Sequence, residues 1–264
     1  MEDYQNAAAA AQGLINSKRY TLISDGDAYK KMWLNDVGTE AIWQFAMSKT
    51  ETGSNALGSS FMGIVDKLPR PSYLPVKSVL NLYDKENDIR YDAYFTTGLI
   101  DRQVGDDIEV TYCSKWPGNP ELYEGKSNNV NKLKAFRISE MYLIAAEAYA
   151  MLNQEDKASE MLNELKKIRI KGWTETVYNG AALMQEIQDE RVRELFAEGN
   201  RLFDMKRWKI GMKRSSSDAQ RDDYLPALGT DIEKEATDNR WVWPIPKDEM
   251  DSNPQLKGQQ NPGY

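Results

Sequence analysis

Histidine is absent from the 264 residues of the sequence, and cysteine occurs once, at Cys113. Without histidine, a Ser-His-Asp triad, a Cys-His dyad and a zinc or iron site with histidine ligands are excluded within this chain. A single cysteine can neither close an intrachain disulfide nor form a cysteine-rich metal site. The sequence therefore predicts no metal and no cofactor, and any catalysis is left to carboxylates, lysine, tyrosine or hydroxyl groups.

Positive charge is also scarce, since 34 Lys and Arg face 41 Asp and Glu and give a net charge of −7. An acidic chain without a basic tract argues against nucleic acid as the main partner. No apolar run approaches the ~20 residues that a membrane-spanning helix needs. Residues 1–4 have neither the basic nor the apolar region of a secretory signal.

Aromatic residues are present in an unusual balance, with 7 Trp and 14 Tyr against 6 Phe. Tyr and Trp combine a flat apolar face with a polar group, which suits half-exposed binding surfaces. With 41% apolar residues the chain also has enough hydrophobic material for a core. Trp33 and Trp43 lie among apolar neighbours, and we expect both in that core.

Helical periodicity is strongest in the second half of the chain. Apolar residues recur at helical spacing over 136–152 and again over 158–168, which predicts two antiparallel helices, the unit of tetratricopeptide solenoids. An alanine block predicts another helix at 3–18, and 181–203 predicts a further one. The expected fold is mainly α, with tetratricopeptide-like helix pairs packed against a loop-rich region.

We predict a single domain built from four consecutive parts. Residues 48–75 and 101–131 are rich in Gly, Pro, Ser and Asn and predict long irregular connections, which are often functional. An extended segment is expected at 41–47. The parts are an alanine-rich solenoid helix at 1–22, a loop-rich ligand-side region at 23–131, helix pairs at 132–210 and a C-terminal tail at 211–264.

A dense stripe of charge occupies residues 190–208. Carboxylates four residues apart could serve as the acid and base of a glycosidase, which needs them about 5–9.5 Å apart. However, each has an arginine three or four positions away, and ion pairing keeps a carboxyl group charged and unsuited to donate a proton. We therefore interpret the stripe as a structural ion-pair network of Glu190, Arg193, Glu194, Glu198, Arg201, Asp204 and Arg207.

Several motifs of this chain occur together in one known family. RISEMYLIAAEA at 137–148 precedes ERVRELFAEGNRLFDMKRW at 190–208, and the tail contains WPIPKDEM, NPQL and the terminal QNPGY. In order and spacing these motifs resemble the SusD/RagB family of outer-membrane nutrient-binding lipoproteins. The resemblance covers essentially the whole chain and is strongest from residue 135 onward, whereas the family's N-terminal part has no counterpart here.

This resemblance implies an α-helical superhelix that binds a glycan or other nutrient at the outer cell surface. It also implies delivery of that nutrient to a SusC-like TonB-dependent transporter, an anchor in the outer membrane and no enzymatic activity. The chain departs from the family because it contains neither the signal peptide nor the lipid-bearing cysteine, and Cys113 has no lipobox context. A homo-oligomer is one way to cover the solenoid face that the N-terminal part would otherwise occupy.

Sugar recognition without histidine relies on aromatic rings flanked by polar groups, typically on loops that a rigid scaffold positions. The loop-rich region offers Tyr73, Tyr112, Trp116 and Tyr123 as stacking surfaces and Asn55 and Asn119 as polar partners. Two other hypotheses remain open at this point. One is a tetratricopeptide-type interaction scaffold without its own ligand site, and the other is a carboxylate-based glycosidase.

Overall fold

The computed structural model describes residues 3–50, 57–65, 67–102, 105–127, 129–215, 217–220, 233–256 and 258–264. Two compact units divide the chain, Met1–Glu198 and Gly199–Tyr264. In the first unit the helices are α1 (Tyr4–Ser17), α2 (Gly26–Leu34), α3 (Ser59–Met62), α4 (Lys77–Leu80), α5 (Ile89–Tyr94), α6 (Ile138–Met151), α7 (Glu155–Arg169) and α8 (Gly180–Glu194).

Helix α1 begins where the side chain of Asp3 accepts a hydrogen bond from the backbone N–H of Asn6, at 3.2 Å. This is an N-cap, and it satisfies one of the otherwise unpaired donors of the first turn. The helix ends at Lys18, which adopts the left-handed conformation with φ 52°. Its buried residues Ala8 and Ala11 face α6, and their small side chains allow the two helices to approach closely.

The predicted pair of helices at 136–152 and 158–168 is confirmed as α6 and α7. Asn153, with φ 56°, reverses the chain between them. Ala145 and Ala146 of α6 and Leu162 and Leu165 of α7 are fully buried in one hydrophobic cluster, which α1 and α8 complete. Helix packing around this cluster forms the mainly α architecture that the sequence predicts.

Short antiparallel strand pairs make up the rest of the first unit. β1 (Ala41–Gln44) pairs with β6 (Lys134–Arg137), and β2 (Ile64–Val65) pairs with β3 (Leu68–Pro69). β4 (Phe95–Ile100) and β5 (Ile108–Cys113) form a hairpin in continuous register from Phe95–Cys113 to Ile100–Ile108. The prediction that 101–131 is wholly irregular is therefore wrong, because the alternating side chains of Ile108, Val110 and Tyr112 make a strand.

A second, aromatic core lies beneath this hairpin. The ring of Trp33 meets those of Trp116 and Tyr94 edge to face, with centroids 5.2 Å and 5.8 Å apart. Tyr29 and Phe95 belong to the same buried cluster. Edge-to-face contacts stabilise the fold beyond the burial of the apolar ring area. This cluster is therefore a second hydrophobic core, for the loop-rich region.

Helix α8 ends earlier than the sequence predicts. The expected helix extends to Phe203, but the structure ends α8 at Glu194. Ala197 and Gly199 have positive φ values of 57° and 86°, which a helix does not contain. The helical conformation therefore does not continue to Phe203.

The second unit contains α9 (Arg201–Trp208), β7 (Met212–Lys213), β8 (Glu233–Lys234) and α10 (Lys247–Ser252). The tail motifs contact one another within this unit. Gln260 binds both the backbone N–H and the carbonyl of Ile245, and the hydroxyl of Tyr264 donates to the carbonyl of Val242 at 3.1 Å. Across both units, none of the described helices is long and apolar enough to cross a membrane.

Close backbone packing at Gly58 gives a testable prediction. A Cβ at this position would lie 2.1 Å from the carbonyl oxygen of Trp116, and that atom is backbone and cannot move aside cheaply. We expect Gly58→Ala to lower the free energy of unfolding by about 1–3 kcal/mol, as overpacking of a core does. Urea denaturation measures this change.

The matched control is Gly13→Ala in α1, where a Cβ meets nothing within 4 Å. Because alanine restricts the unfolded chain and favours the helix, this variant should be more stable by about 0.5–1 kcal/mol. Equal effects of the two substitutions would contradict the packing described at Gly58.

Candidate functional site

A chain of buried ion pairs occupies the centre of the first unit, and Glu194 is its midpoint. The carboxylate of Glu194 accepts hydrogen bonds from Arg137 at 2.8 Å, from Arg90 at 3.0 Å and from Arg169 at 2.9 and 3.0 Å. The side chains of all four residues are at most 1% exposed. Charges so deeply buried are tolerated only when each has a close partner of opposite sign.

Further pairs extend this arrangement in both directions. Glu198 accepts from Arg137 and Lys115, each at 2.7 Å, while Glu190 pairs with Arg90 at 2.5 Å and with Arg193 at 2.6 Å. Among the described residues the charges balance, with six cations and six carboxylates. We call this the Glu194 network: Arg90, Lys115, Arg137, Lys166, Arg169, Arg193, Glu40, Asp88, Glu186, Glu190, Glu194 and Glu198.

Aromatic rings cover the cations of the network. The guanidinium of Arg169 lies 4.4 Å from the ring centre of Tyr29, and the ammonium of Lys115 lies 4.1 Å from Trp33 and 3.9 Å from Tyr94. Cation–π contacts of this kind are stronger when water is excluded. They connect the ion pairs to the aromatic core, so the two features form one rigid block.

The network holds its carboxylates in the charged form. Burial raises the pKa of Glu190, but Arg90 and Arg193 outweigh it and bring the pKa down to about 2. Burial opposes Arg169, Arg137 and Arg90 in the same way at Glu194, whose pKa lies well below its usual value. A general acid needs a raised pKa. These carboxylates therefore cannot serve as the proton donor of a glycosidase.

The predicted stripe is divided between the two units. Glu190, Arg193, Glu194 and Glu198 lie in the Glu194 network of the first unit. Arg201, Asp204 and Arg207 lie on α9 in the second unit, where Arg207 pairs with Asp204 at 2.8 Å. Sequence reasoning missed Arg90, Arg137 and Arg169, which come from distant segments and carry no local signal for their partners.

A second polar cluster anchors the segment 115–134 to the end of α2. The carboxylate of Asp36 accepts from Asn119, from the backbone N–H of Lys132 and from the ammonium of Lys134, each at 2.9 Å. Asn131 donates to the carbonyl of Trp33 at 2.7 Å. Because these groups are buried and paired, the segment is fixed in place.

Three of the predicted ligand contacts lie in the interior. Trp116 is 2% exposed and donates its Nε1–H to the carbonyl of Ala197 at 3.2 Å. Asn119 is fully buried on Asp36, and Tyr112 is 9% exposed on β5. These side chains offer a ligand almost no surface in this structure, because long-range contacts bury residues whose sequence neighbours are polar.

The other predicted contacts are placed differently. Tyr73 is 63% exposed, with its ring centre 6.2 Å from that of Phe61. Tyr123 is partly exposed, in the turn after a short 3-10 helix at Pro120–Leu122. Asn55 lies outside the described residues. Tyr73 is thus the predicted stacking surface with the largest accessible ring.

An aromatic surface that the sequence did not predict lies on β1 and β6. Trp43, Phe45 and Phe136 are 53%, 45% and 47% exposed. The ring centre of Trp43 is 5.0 Å from that of Phe45 and 6.2 Å from that of Phe136. The ring planes of Trp43 and Phe136 are inclined by only 26° to each other. We call these three residues the β1–β6 aromatic patch.

The expectation that Trp43 belongs to the core is therefore wrong. Neighbouring side chains on a strand point to opposite faces, and it is Ile42 that packs on the helical core. The alternation of Ile42, Trp43, Gln44 and Phe45 is a signal that could have revealed the outward face. No group of three or more His, Cys, Asp or Glu suited to hold a metal occurs among the residues that the structure describes.

Comparison with known proteins identifies the family. The sequence profile of the SusD family matches residues 109–264, more than half of the chain. The chain belongs to the SusD family. The motif resemblance from residue 135 onward is thereby confirmed.

A curated relative and two solved structures are similar to this chain. A SusD-like protein P25 of Formosa agariphila is 28% identical over 125 residues, 46% of this chain and 24% of that protein. A SusD superfamily crystal structure from Bacteroides thetaiotaomicron is 26% identical, with a TM-score of 0.75 over 98% of this chain and 57% of its own. The surface glycan-binding protein A of Bacteroides uniformis shares the fold, with a TM-score of 0.66, 21% identity and coverage of 98% and 56%. The chain thus spans little more than half the length of these two solved structures.

Removal of the central charge of the Glu194 network gives a second prediction. Glu194→Gln leaves Arg90, Arg137 and Arg169 short of one negative charge in a buried site. We expect the free energy of unfolding to fall by about 3–5 kcal/mol. The control is Glu164→Gln, whose exposed pair with Lys167 is worth about 0–1 kcal/mol. Equal losses in urea denaturation would show that the network is not stabilising.

The lowered pKa values give a third prediction, which concerns the stability of the protein at low pH. Folded Glu190 stays charged down to about pH 2, whereas the unfolded carboxyl group binds a proton near its ordinary pKa of 4.5. The unfolded state then binds more protons in this window, so the free energy of unfolding falls as the pH drops from 4.5 towards 2. The contribution of Glu190 is about 3 kcal/mol.

Urea denaturation at a series of pH values measures this fall. In Glu190→Gln the protein should start from a lower stability at pH 7 and lose less between pH 4.5 and 2. The same pH dependence in the variant and the wild type would contradict the lowered pKa of Glu190.

Proposed function

We propose that this SusD-family chain binds a glycan, and that the β1–β6 aromatic patch is where sugar rings stack. The exposed patch is the observation that carries the proposal. Glycan binding is also the described activity of the Bacteroides uniformis protein with the same fold. A hydrophobic cluster of three rings left half-exposed on a rigid surface favours a binding role.

The geometry of the patch suits a carbohydrate ligand. A pyranose presents flat C–H faces to an aromatic ring and hydroxyl groups at its edge. The nearly parallel planes of Trp43 and Phe136 present adjacent flat surfaces, and Phe45 extends them along β1. β6 continues directly into α6, so the platform is attached to the rigid helical core.

Two loop tyrosines are further candidates for ligand contact. Tyr73, with 63% of its surface exposed, is proposed as a further stacking residue. Tyr123, which is partly exposed, is proposed as an additional contact. Trp116, Tyr112 and Asn119 are buried and are not part of the proposed contact surface. Recognition by loops on a fixed scaffold is common among binding proteins.

We further propose that the chain acts at the outer cell surface and delivers its nutrient to a SusC-like TonB-dependent transporter. Membership of the SusD family supports this partner and this location. Purification of the chain from its own cells tests this proposal. A SusC-like transporter should co-purify with it, and absence of the transporter from the purified material would contradict the proposal. The alternative hypothesis is an interaction scaffold without its own ligand site. It predicts that the chain co-purifies with the transporter but binds no sugar.

A fourth prediction tests the glycan proposal. Titration calorimetry with a panel of neutral oligosaccharides should find at least one that binds, and Trp43→Ala should weaken it about tenfold or more, because one stacking surface is lost. Phe203→Ala removes an aromatic residue that is 69% exposed in the second unit and should leave the affinity unchanged. Equal affinity of Trp43→Ala and wild type would remove the patch from the ligand site.

A further inference from the structure

The connection between α7 and α8 ends in the dipeptide Asn179–Gly180. Asparagine is followed by glycine at no other position of the sequence. Both residues are exposed, as is most of the segment 171–180. Asparagine is a thermolabile residue, and its reactivity depends on how closely the next backbone nitrogen can approach its side chain. This dipeptide therefore combines a reactive sequence with an open position.

Glycine at position 180 leaves the backbone nitrogen without a shield. Gly180 adopts a positive φ of 52°, and a Cβ at this position would meet nothing within 4 Å. A side chain here would be strained by this φ and would hinder approach to the nitrogen beside it. The nitrogen of Gly180 is thus shielded by no side chain of its own.

The side chain of Asn179 is not held by the helix that it precedes. Asn179 is the N-cap residue of α8, with φ −147° and ψ 161°, yet its side chain makes no capping hydrogen bond. Asp25, which precedes Gly26 at the start of α2, differs because its carboxylate accepts from the N–H of Ala28 at 2.8 Å. The side-chain amide of Asn179 is therefore not fixed by a cap.

A carboxylate holds the backbone nitrogen that lies next to this amide. The N–H of Gly180 donates to Oε1 of Glu155, in the first turn of α7, at 3.0 Å. A negative charge beside this N–H opposes loss of its proton. The N–H of Leu183 donates to the carbonyl of Asn179 at 3.1 Å and opposes rotation of the backbone. Helix ends fray, so these two hydrogen bonds slow a reaction at Gly180 without preventing it.

We propose that Asn179–Gly180 is a site of spontaneous deamidation and that Glu155 sets its rate. The backbone nitrogen of Gly180 attacks Cγ of Asn179 and forms a cyclic imide. The side-chain amide nitrogen leaves as ammonia and takes up the proton of the Gly180 N–H. Water then adds across either C–N bond of the ring and leaves an aspartate or an isoaspartate at position 179.

The modification changes the start of α8. It adds a negative charge close to Glu155, and the isoaspartate form lengthens the backbone at the N-cap. Glu190 and Glu194 of the Glu194 network lie at the other end of the same helix. The altered turn is therefore remote from the network, and we expect the modified chain to stay folded.

Incubation of the native chain in neutral buffer, followed by proteolysis and mass spectrometry, measures the reaction at each asparagine. Asn179 should react at least about tenfold faster than Asn16, an exposed residue of α1, because Ser17 has a Cβ and glycine has none. The product should contain isoaspartate, which direct hydrolysis of the amide does not yield. Equal rates at the two asparagines, or aspartate without isoaspartate, would overturn the proposed site.

A matched pair of variants tests the role of Glu155. Glu155→Ala frees the N–H of Gly180 and should raise the rate at Asn179 about two- to tenfold, as loss of one hydrogen bond does. Asp156→Ala removes the neighbouring carboxylate of the same turn and should leave the rate unchanged. A rate in Glu155→Ala no higher than that of the wild type, or an equal rise in both variants, would overturn this role.

Discussion

The neutralisation of Glu194 by three arginines is the interaction on which the first unit depends. Arg90 comes from α5, Arg137 from the end of β6 and Arg169 from the end of α7, so one carboxylate of α8 joins four elements. Burial of this charge would be prohibitive without its partners. The balance of six cations against six carboxylates lets a polar network occupy the place of an apolar core, and it restricts how these elements can be arranged.

The network also determines what the surface can do. Arg137 directly follows Phe136 at the end of β6, and Lys115 directly precedes Trp116, so the β1–β6 aromatic patch and the loop after β5 each adjoin a residue of the network. A ring that is already held in place loses less side-chain freedom on binding, which favours weak ligands such as sugars. The same ion pairs keep the carboxyl groups of Glu190 and Glu194 charged, so these groups are unsuited to donate protons.

Local sequence patterns predicted the helices but could not predict which distant side chains contact one another. α1, α6 and α7 follow from residues close in sequence, whereas Arg90 and Glu194 are 104 residues apart and meet only in the folded chain. Trp116 lies among Gly, Pro and Asn and was expected at the surface, but Trp33 and Ala197 bury it. Trp43 lies among apolar residues and was expected in the core, but the alternation of β1 turns it outward.

The central claim is that a rigid, charge-balanced scaffold presents the β1–β6 aromatic patch to a glycan. A crystal structure of the chain with an oligosaccharide selected for binding tests it most directly. The account predicts a pyranose ring stacked on Trp43 or Phe136, with the hydrogen bond between Arg137 and Glu194 retained. A sugar bound with both rings uncovered, or a network rearranged by the ligand, would contradict it.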